Sequence, residues 1–240
     1  MHMNNFAGKQ FLAAVRGSDF AHAGEAEAIE LVFAGVVKDS QRSILDAGCG
    51  RGGTADYVRR GGWGEVIGLD LEEQSIEYAR SQYPHVEFHS GDICDAGQKF
   101  PSRFELIYLF NVFYAIADKA QAMLSLRDCA RSAARLCFFD YVTYKPEIPV
   151  PAVMLSGVPA TLSQLDKMLS GAGWKLDERI NLDEKYIEWY RSLISRFDDR
   201  RLLDQFPPER IESVRQKYEE LLCRLVDGTI GGVLLYASAV

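Results

Sequence analysis

Between residues 43 and 53 the chain reads Ser-Ile-Leu-Asp-Ala-Gly-Cys-Gly-Arg-Gly-Gly. The apolar pair Ile44-Leu45 runs into Asp46, glycines follow at 48, 50, 52 and 53, and helix-forming residues begin near Thr54. Glycines packed this densely argue against a regular helix or strand. They permit positive φ and let a ligand lie against bare backbone. A buried strand, a tight glycine turn and a helix start form the unit with which open α/β sheets cradle nucleotide-like ligands.

Gly48, Gly50 and Gly53 also satisfy the dinucleotide spacing G-x-G-x-x-G, so two cofactor classes compete for this turn. The carboxylate of Asp46, two residues before the first glycine, opposes a pyrophosphate and favours a cation. The run Asp46-Ala47-Gly48-Cys49-Gly50 resembles motif I of the class I S-adenosylmethionine-dependent methyltransferases. The resemblance continues through residues 66–70, Gly91-Asp92 and residues 104–114, roughly the first two-thirds of the chain. It implies S-adenosyl-L-methionine as cofactor, whose ammonium and sulfonium are both cations. Among small-molecule enzymes of that family the chain looks most like the sarcosine/dimethylglycine, phosphoethanolamine and natural-product methyltransferases.

Asp70 closes the second expected strand, 17 residues after the last glycine of the turn. A carboxylate there accepts both ribose hydroxyls and repels a 2′-phosphate, which serves NAD enzymes and methyltransferases alike. Leu71 beside it is counted in the same site. The family resemblance implies further roles. Asp92 would accept the adenine amino group, Ile93 would cover the ring face, and Asn111 and Tyr114 would sit near the transferred methyl. The segment 20–25, with His22 and Gly24, looks like a pre-motif stretch that folds over the cofactor in several small-molecule members. His22, Tyr114 or Tyr141 would then be candidates for a base, and an exposed loop histidine is the plain alternative for His22.

A chain of 240 residues suits one large α/β domain better than two. With 48% apolar and 25% charged residues it has an ordinary soluble composition. A net charge of −7 without a basic stripe argues against a nucleic-acid partner. The five cysteines are odd in number and form no C-x-x-C pair, so reduced thiols in a cytoplasmic protein are expected, with no metal cluster visible. The N-terminus lacks a signal pattern, and no apolar run is long enough for a bilayer, so no membrane partner is expected.

The expected architecture is a Rossmann-like, doubly wound, mostly parallel sheet of seven strands. Residues 1–42 form an N-terminal helical cap and residues 183–227 a helical insertion before the last strand, all within one domain, 1–240. The cap should contain a helix through Phe6, Phe11, Leu12 and Val15 and another over 26–37. Residues 104–110 read as a central strand buried on both faces. A helix is expected over 118–134, an irregular proline-rich loop over 145–160, and a capped helix from Thr161 to about Gly171. Helices over 183–199 and 208–226 complete the insertion. Their apolar stripes are expected to pack away from the main sheet faces, as a lid over the acceptor walled by Tyr186, Trp189, Tyr190 and Phe206.

Tyr141 and Lys145 match the Y-x-x-x-K pair of short-chain dehydrogenases. That pair must share a helix face, whereas β-branched Val142 and Thr143 and the following Pro146 favour extended backbone. Asn111-Val112-Phe113-Tyr114 lacks both prolines of the N-P-P-Y motif used on nucleic-acid amines. The expected function is therefore methyl transfer to a small-molecule nitrogen or oxygen nucleophile by in-line displacement. The alternatives are an NAD-dependent oxidoreductase and a non-catalytic S-adenosylmethionine-binding protein. The first reading predicts that S-adenosylhomocysteine, at a hundredfold excess over its Kd, stabilises the fold by about 2.7 kcal/mol. Thermal denaturation with each ligand checks this, and equal stabilisation by NAD would refute it.

Overall fold

In the computed structural model, described for residues 5–154 and 157–240, seven strands form one sheet in the order β3-β2-β1-β4-β5-β7-β6. The strands are β1 (Ser43–Ala47), β2 (Glu65–Asp70), β3 (Glu87–Ser90), β4 (Phe104–Phe110), β5 (Ala130–Thr143), β6 (Trp174–Asn181) and β7 (Ile230–Ala239). The first five are parallel, and β7 runs antiparallel to both its neighbours. β1 pairs with β2 on one side and β4 on the other, so the strand order reverses there. Open α/β sheets bind ligands at the carboxyl ends of strands flanking such a reversal. Residues 1–4, within the expected cap, and 155–156, within the expected loop, lie outside the described residues.

Period-two alternation divides the sheet residues between two cores. Along β4, Leu106, Tyr108 and Phe110 join one cluster while Ile107 and Leu109 join the other. Each buried Leu, Ile or Phe side chain contributes roughly 1.5–3 kcal/mol, which makes this strand a strong anchor. The second face is covered by α5 (Ala96–Lys99), α6 (Lys119–Cys129) and α7 (Leu162–Gly171). The first face carries α1 (Phe6–Arg16), α2 (Glu25–Phe33), α3 (Gly53–Arg60) and α4 (Glu73–Gln82), together with α8 (Asp183–Ser195) and α9 (Pro208–Val226).

Local signals set several boundaries. Asn5 caps α1 by accepting from the Gly8 amide, and Gly17 ends it in the left-handed region. Thr161 and Gln164 form the expected reciprocal capping box. Pro208 opens α9 at a position where its missing N–H costs nothing. Three expected helices end early, and the one expected over 183–199 stops at Ser195, where a short 3-10 turn over Arg196–Asp198 takes over. The second cap helix stops at Phe33, short of 37, and the helix expected over 118–134 stops at Cys129, where β5 already begins. The Ala-rich stretch after Cys129 has helix propensity, but pairing of Ala130 with Phe104 captures it. The mismatch is absorbed by a register shift along β4 and by Ala133 at φ +61°.

The insertion also departs from expectation, because it packs directly on a main sheet face. Tyr186 of α8 is fully buried against β7, where a Cβ on Gly232 would lie 2.2 Å from its ring. Only glycine permits that approach. Phe139 of β5 meets Tyr186 and Trp189 at ring separations of 5.3 and 6.0 Å. Among the described residues no helix is long and apolar enough to cross a membrane. With α8 anchored in this way, its amides are expected to exchange nearly as slowly as those of Phe104–Phe110. Residues 196–207 and the exposed face of α9 should exchange faster and slow when S-adenosylhomocysteine is added. Hydrogen exchange with peptide resolution tests both expectations.

Candidate functional site

The glycine turn is fixed to the end of β2. The amides of Gly48 and Cys49 both donate to the Leu69 carbonyl, at 2.7 and 3.0 Å, and the Gly50 amide donates to Asp70 Oδ2 at 2.8 Å. Gly48 has φ +90°, and a Cβ there would fall 2.4 Å from Val112. Both its conformation and its closeness to the chain after β4 therefore demand glycine.

Asp70 is a crowded acceptor. Besides the Gly50 amide, its Oδ1 takes the Glu72 amide at 3.0 Å and the Lys9 ammonium at 2.9 Å. Lys9 reaches from α1 and also lies 3.5 Å from Glu72. A carboxylate offers about four lone-pair sites, so two ribose hydroxyls would find room only if Lys9 withdraws. Leu71 is 73% exposed although apolar, and its side chain stands on the wall of the adjoining cavity. Asp92 caps the short turn Ile93–Asp95 by accepting from the Cys94 amide at 2.8 Å, and Ile93 is buried on the same wall.

Asn111 joins three regions of the chain. It is held at φ +51° just past β4, its Oδ1 accepts from the Ala23 amide at 2.9 Å, and its Nδ2 donates to the Tyr186 hydroxyl at 2.8 Å. Asparagine is among the few non-glycine residues that adopt that region readily. The segment 20–25 accordingly lies along the glycine turn, with the backbone of Asp19 against Gly53 and Ala21 on the cavity wall. His22, a candidate base from the sequence, is outside the cavity. It is 3% exposed, stacks on Phe110 at 4.4 Å, and its ring nitrogens engage Ala23 O at 3.0 Å and Thr54 Oγ1 at 3.1 Å. Burial pushes its pKa down to about 3, so it is neutral. Its burial and both bonds make it a brace between the cap and α3, with no free nitrogen to offer an acceptor.

These elements enclose a cavity of about 780 Å³ at the carboxyl ends of β1, β2 and β4, a size usual for small-molecule sites. Gly48, Gly50, Asp70, Leu71, Asp92 and Ile93 line one end. Asn111, Phe110, Tyr114 and Tyr141 lead to the other, which Tyr190 of α8 and Tyr218 of α9 close. Of the insertion aromatics expected as walls, only Tyr190 serves. Tyr186 is buried beneath the wall, Trp189 donates to Glu27 at 2.8 Å, and Phe206 packs on Phe11 at 4.7 Å. Tyr218 and Leu221 of α9 went unrecognised because they belong to a helical stripe indistinguishable from ordinary packing. Tyr141 lies in β5, so the Y-x-x-x-K match is indeed coincidental.

Asp46 stands behind this wall rather than in it. It is 2% exposed and its Oδ2 has no hydrogen-bond partner. Desolvation raises its pKa to about 8; Tyr108, its register partner on β4, offsets some of this rise and the Asp70 charge adds to it. Contrary to the expectation that Asp46 opposes a pyrophosphate by its charge, without a cation nearby Asp46 is largely protonated at neutral pH. Asp140 of β5, which no motif had marked, is likewise buried and raised to about 7, with backbone donors including Phe113 and Tyr141 opposing that rise.

The fold and the strand-end cavity are those of the class I S-adenosylmethionine-dependent methyltransferases. The chain belongs to the methyltransferase domain family, whose model matches residues 38–221. A protein of Mycolicibacterium smegmatis assigned as an S-adenosylmethionine-dependent methyltransferase is 25% identical over 150 residues, 59% of this chain and 55% of that one. The malonyl-[acyl-carrier protein] O-methyltransferase of Halalkalibacterium halodurans is 27% identical over 75% of this chain and 64% of its own. Phosphoethanolamine N-methyltransferase 2 of Haemonchus contortus, solved with S-adenosyl-L-methionine, superposes with a TM-score of 0.87 at 15% identity, covering 97% of this chain and 57% of that one. This chain thus spans little more than half of the Mycolicibacterium and Haemonchus proteins. Cofactor and fold agree with the reading of the glycine turn.

The orphaned carboxyl of Asp46 gives a pH test. An acid raised from its ordinary value near 4 to about 8 binds its proton more tightly in the folded state. Stability falls wherever the folded state holds more protons, here as pH rises from about 4 to about 8. Asp46→Asn is expected to lose its share of that fall, so its stability advantage over the parent should grow between pH 5 and pH 8. Urea denaturation at both pH values measures it, and a constant difference would contradict the assignment.

Proposed function

We propose that this chain transfers the methyl group of S-adenosylmethionine to a small-molecule nitrogen or oxygen nucleophile by in-line displacement. The observation that carries this reading is the single cavity joining the glycine turn and Asp70 to the aromatic end at Tyr141 and Tyr190. Such a cavity gives a cofactor and an acceptor adjoining places. Several features support the cofactor's fit. Asp70 faces the cavity beside the glycine turn, Gly48 and Gly50 put bare backbone on its wall, and the unpartnered Asp46 Oδ2 is an acceptor behind the turn.

In this reading Asp70 holds the ribose hydroxyls once Lys9 withdraws. Asp92 and Ile93 receive the adenine, with Leu71 beside them. Gly48 and Gly50 let the amino-acid portion lie on backbone, and the Asp46 carboxyl behind them answers its positive charge. Asn111 and Tyr114 stand where the two ligands meet, and the segment 20–25 with α8 and α9 excludes water. Bound S-adenosylmethionine supplies a methyl group on a sulfonium, which is already a good leaving group. The chain's task is then mainly positioning, which is able to contribute about 7–11 kcal/mol of barrier reduction.

Asp70→Ala is expected to weaken S-adenosylhomocysteine binding by a factor equivalent to about 1.5–3 kcal/mol, the range for hydrogen bonds to a charged group. Asn111→Ala should affect cofactor affinity less and methyl transfer more. Calorimetry with S-adenosylhomocysteine and a radiolabelled-methyl acceptor screen test the pair. Unchanged cofactor affinity in Asp70→Ala would remove Asp70 from the site.

A further inference from the structure

The acceptor end of the cavity differs in chemistry from the cofactor end. The acids Asp70, Glu72, Asp92 and Asp95 on the cavity wall lie along the ends of β2 and β3 and the turns beyond them. Asp118 sits with them at the start of α6, where its carbonyl accepts from Cys94 Sγ at 3.6 Å. Lys9 is the one cation among the described wall residues, and it is bound to Asp70 and Glu72. At the far end the wall is Phe110, Tyr114, Tyr141, Tyr190 and Tyr218 with aliphatic neighbours, and no described residue among them is charged. Buried charges behind that wall already have partners, save that Arg16 Nε makes no hydrogen bond. Arg16 donates to the His22 carbonyl and lies 3.5 Å from Glu25; Lys119 donates to the Tyr114 and Ile116 carbonyls; Asp140 accepts the Phe113 and Tyr141 amides.

Within this wall the Tyr141 and Tyr190 hydroxyls are hydrogen-bonded to each other. Their rings are 6.4 Å apart at 25°, and Tyr218 stacks on Tyr190 at 5.8 Å and 21°. Two phenols bonded to each other use one of their two donors, which leaves one O–H and several lone pairs for a ligand. A phosphate or carboxylate placed here would lose its hydration without meeting a cation on the described wall, which is strongly unfavourable, whereas the faces of the aromatic rings would attract an ammonium. An apolar ring with one polar group would keep both its burial and its hydrogen bond.

We propose that the acceptor has an aromatic or similarly apolar body and carries no anionic group, and that its polar group is recognised by the Tyr141–Tyr190 hydroxyl pair. The proposal rests on the methyltransferase reading above and narrows it to a substrate class. The Haemonchus neighbour is named for a phosphate-bearing acceptor, which would meet no free cation among the described residues of this wall.

The test uses the full chain loaded with S-adenosylhomocysteine and three probes in calorimetry: 2-naphthol, phosphoethanolamine and 2-naphthoate, the last two carrying a phosphate and a carboxylate. 2-Naphthol is expected to bind at least tenfold more tightly than either charged probe. Tyr190→Phe, which keeps the ring stack, should weaken 2-naphthol binding about three- to tenfold, and Tyr141→Phe provides the same readout should the first variant fold poorly. A charged probe that binds as tightly as 2-naphthol, or 2-naphthol affinity indifferent to both variants, overturns the proposal. Failure of S-adenosylhomocysteine to bind the parent chain would instead overturn the methyltransferase reading itself.

Discussion

The hydrogen bond from the Gly50 amide to Asp70 is the contact on which the site depends. It ties the loop after β1 to the end of β2, and with the two amides on the Leu69 carbonyl it leaves the turn one conformation. Val112 closes on Gly48 from the other side, so the turn is gripped between β2 and the chain that follows β4. A turn gripped in this way presents preformed backbone to a ligand, which reduces the ordering cost of binding.

Asn111 has a comparable role just past β4. Its single amide side chain satisfies the Ala23 amide of the cap and the Tyr186 hydroxyl of the insertion. The cap, the central strand and the insertion therefore meet at a single polar residue on the cavity wall. The left-handed backbone of Asn111, which asparagine tolerates better than most residues, turns its side chain toward both partners. Cap and insertion are also joined directly, through Phe11 on Phe206 and Arg196 on Glu25. Coverage of the cavity is thus a property of both elements acting together, rather than of a lid that hangs free of the cap.

Two buried carboxyls, Asp46 and Asp140, lie close behind this wall with raised pKa values. Buried acids tend to become neutral when no cation is at hand. Asp46 is consequently a latent charge whose ionisation a bound cation would favour, whereas the backbone donors on Asp140 fix it at the strand end.

The sequence by itself determined the strand-turn-helix unit, the seven-stranded α/β architecture and most element boundaries. Those features rest on short-range chemistry: glycine spacing, the Thr161 capping box, the proline at 208 and an apolar run too continuous for a surface strand. It also marked Gly48, Gly50, Asp70, Leu71, Asp92, Ile93, Asn111 and Tyr114, all of which the fold brings to one cavity. Only the tertiary structure decided where Asp46 and His22 stand, because desolvation depends on neighbours distant in the chain. Only it distinguished Tyr190 and Tyr218 from Tyr186, since side chains along an amphipathic stripe differ only in what lies opposite them. The early end of the helix at Cys129 was decided there too, where a strand partner outweighed local propensity.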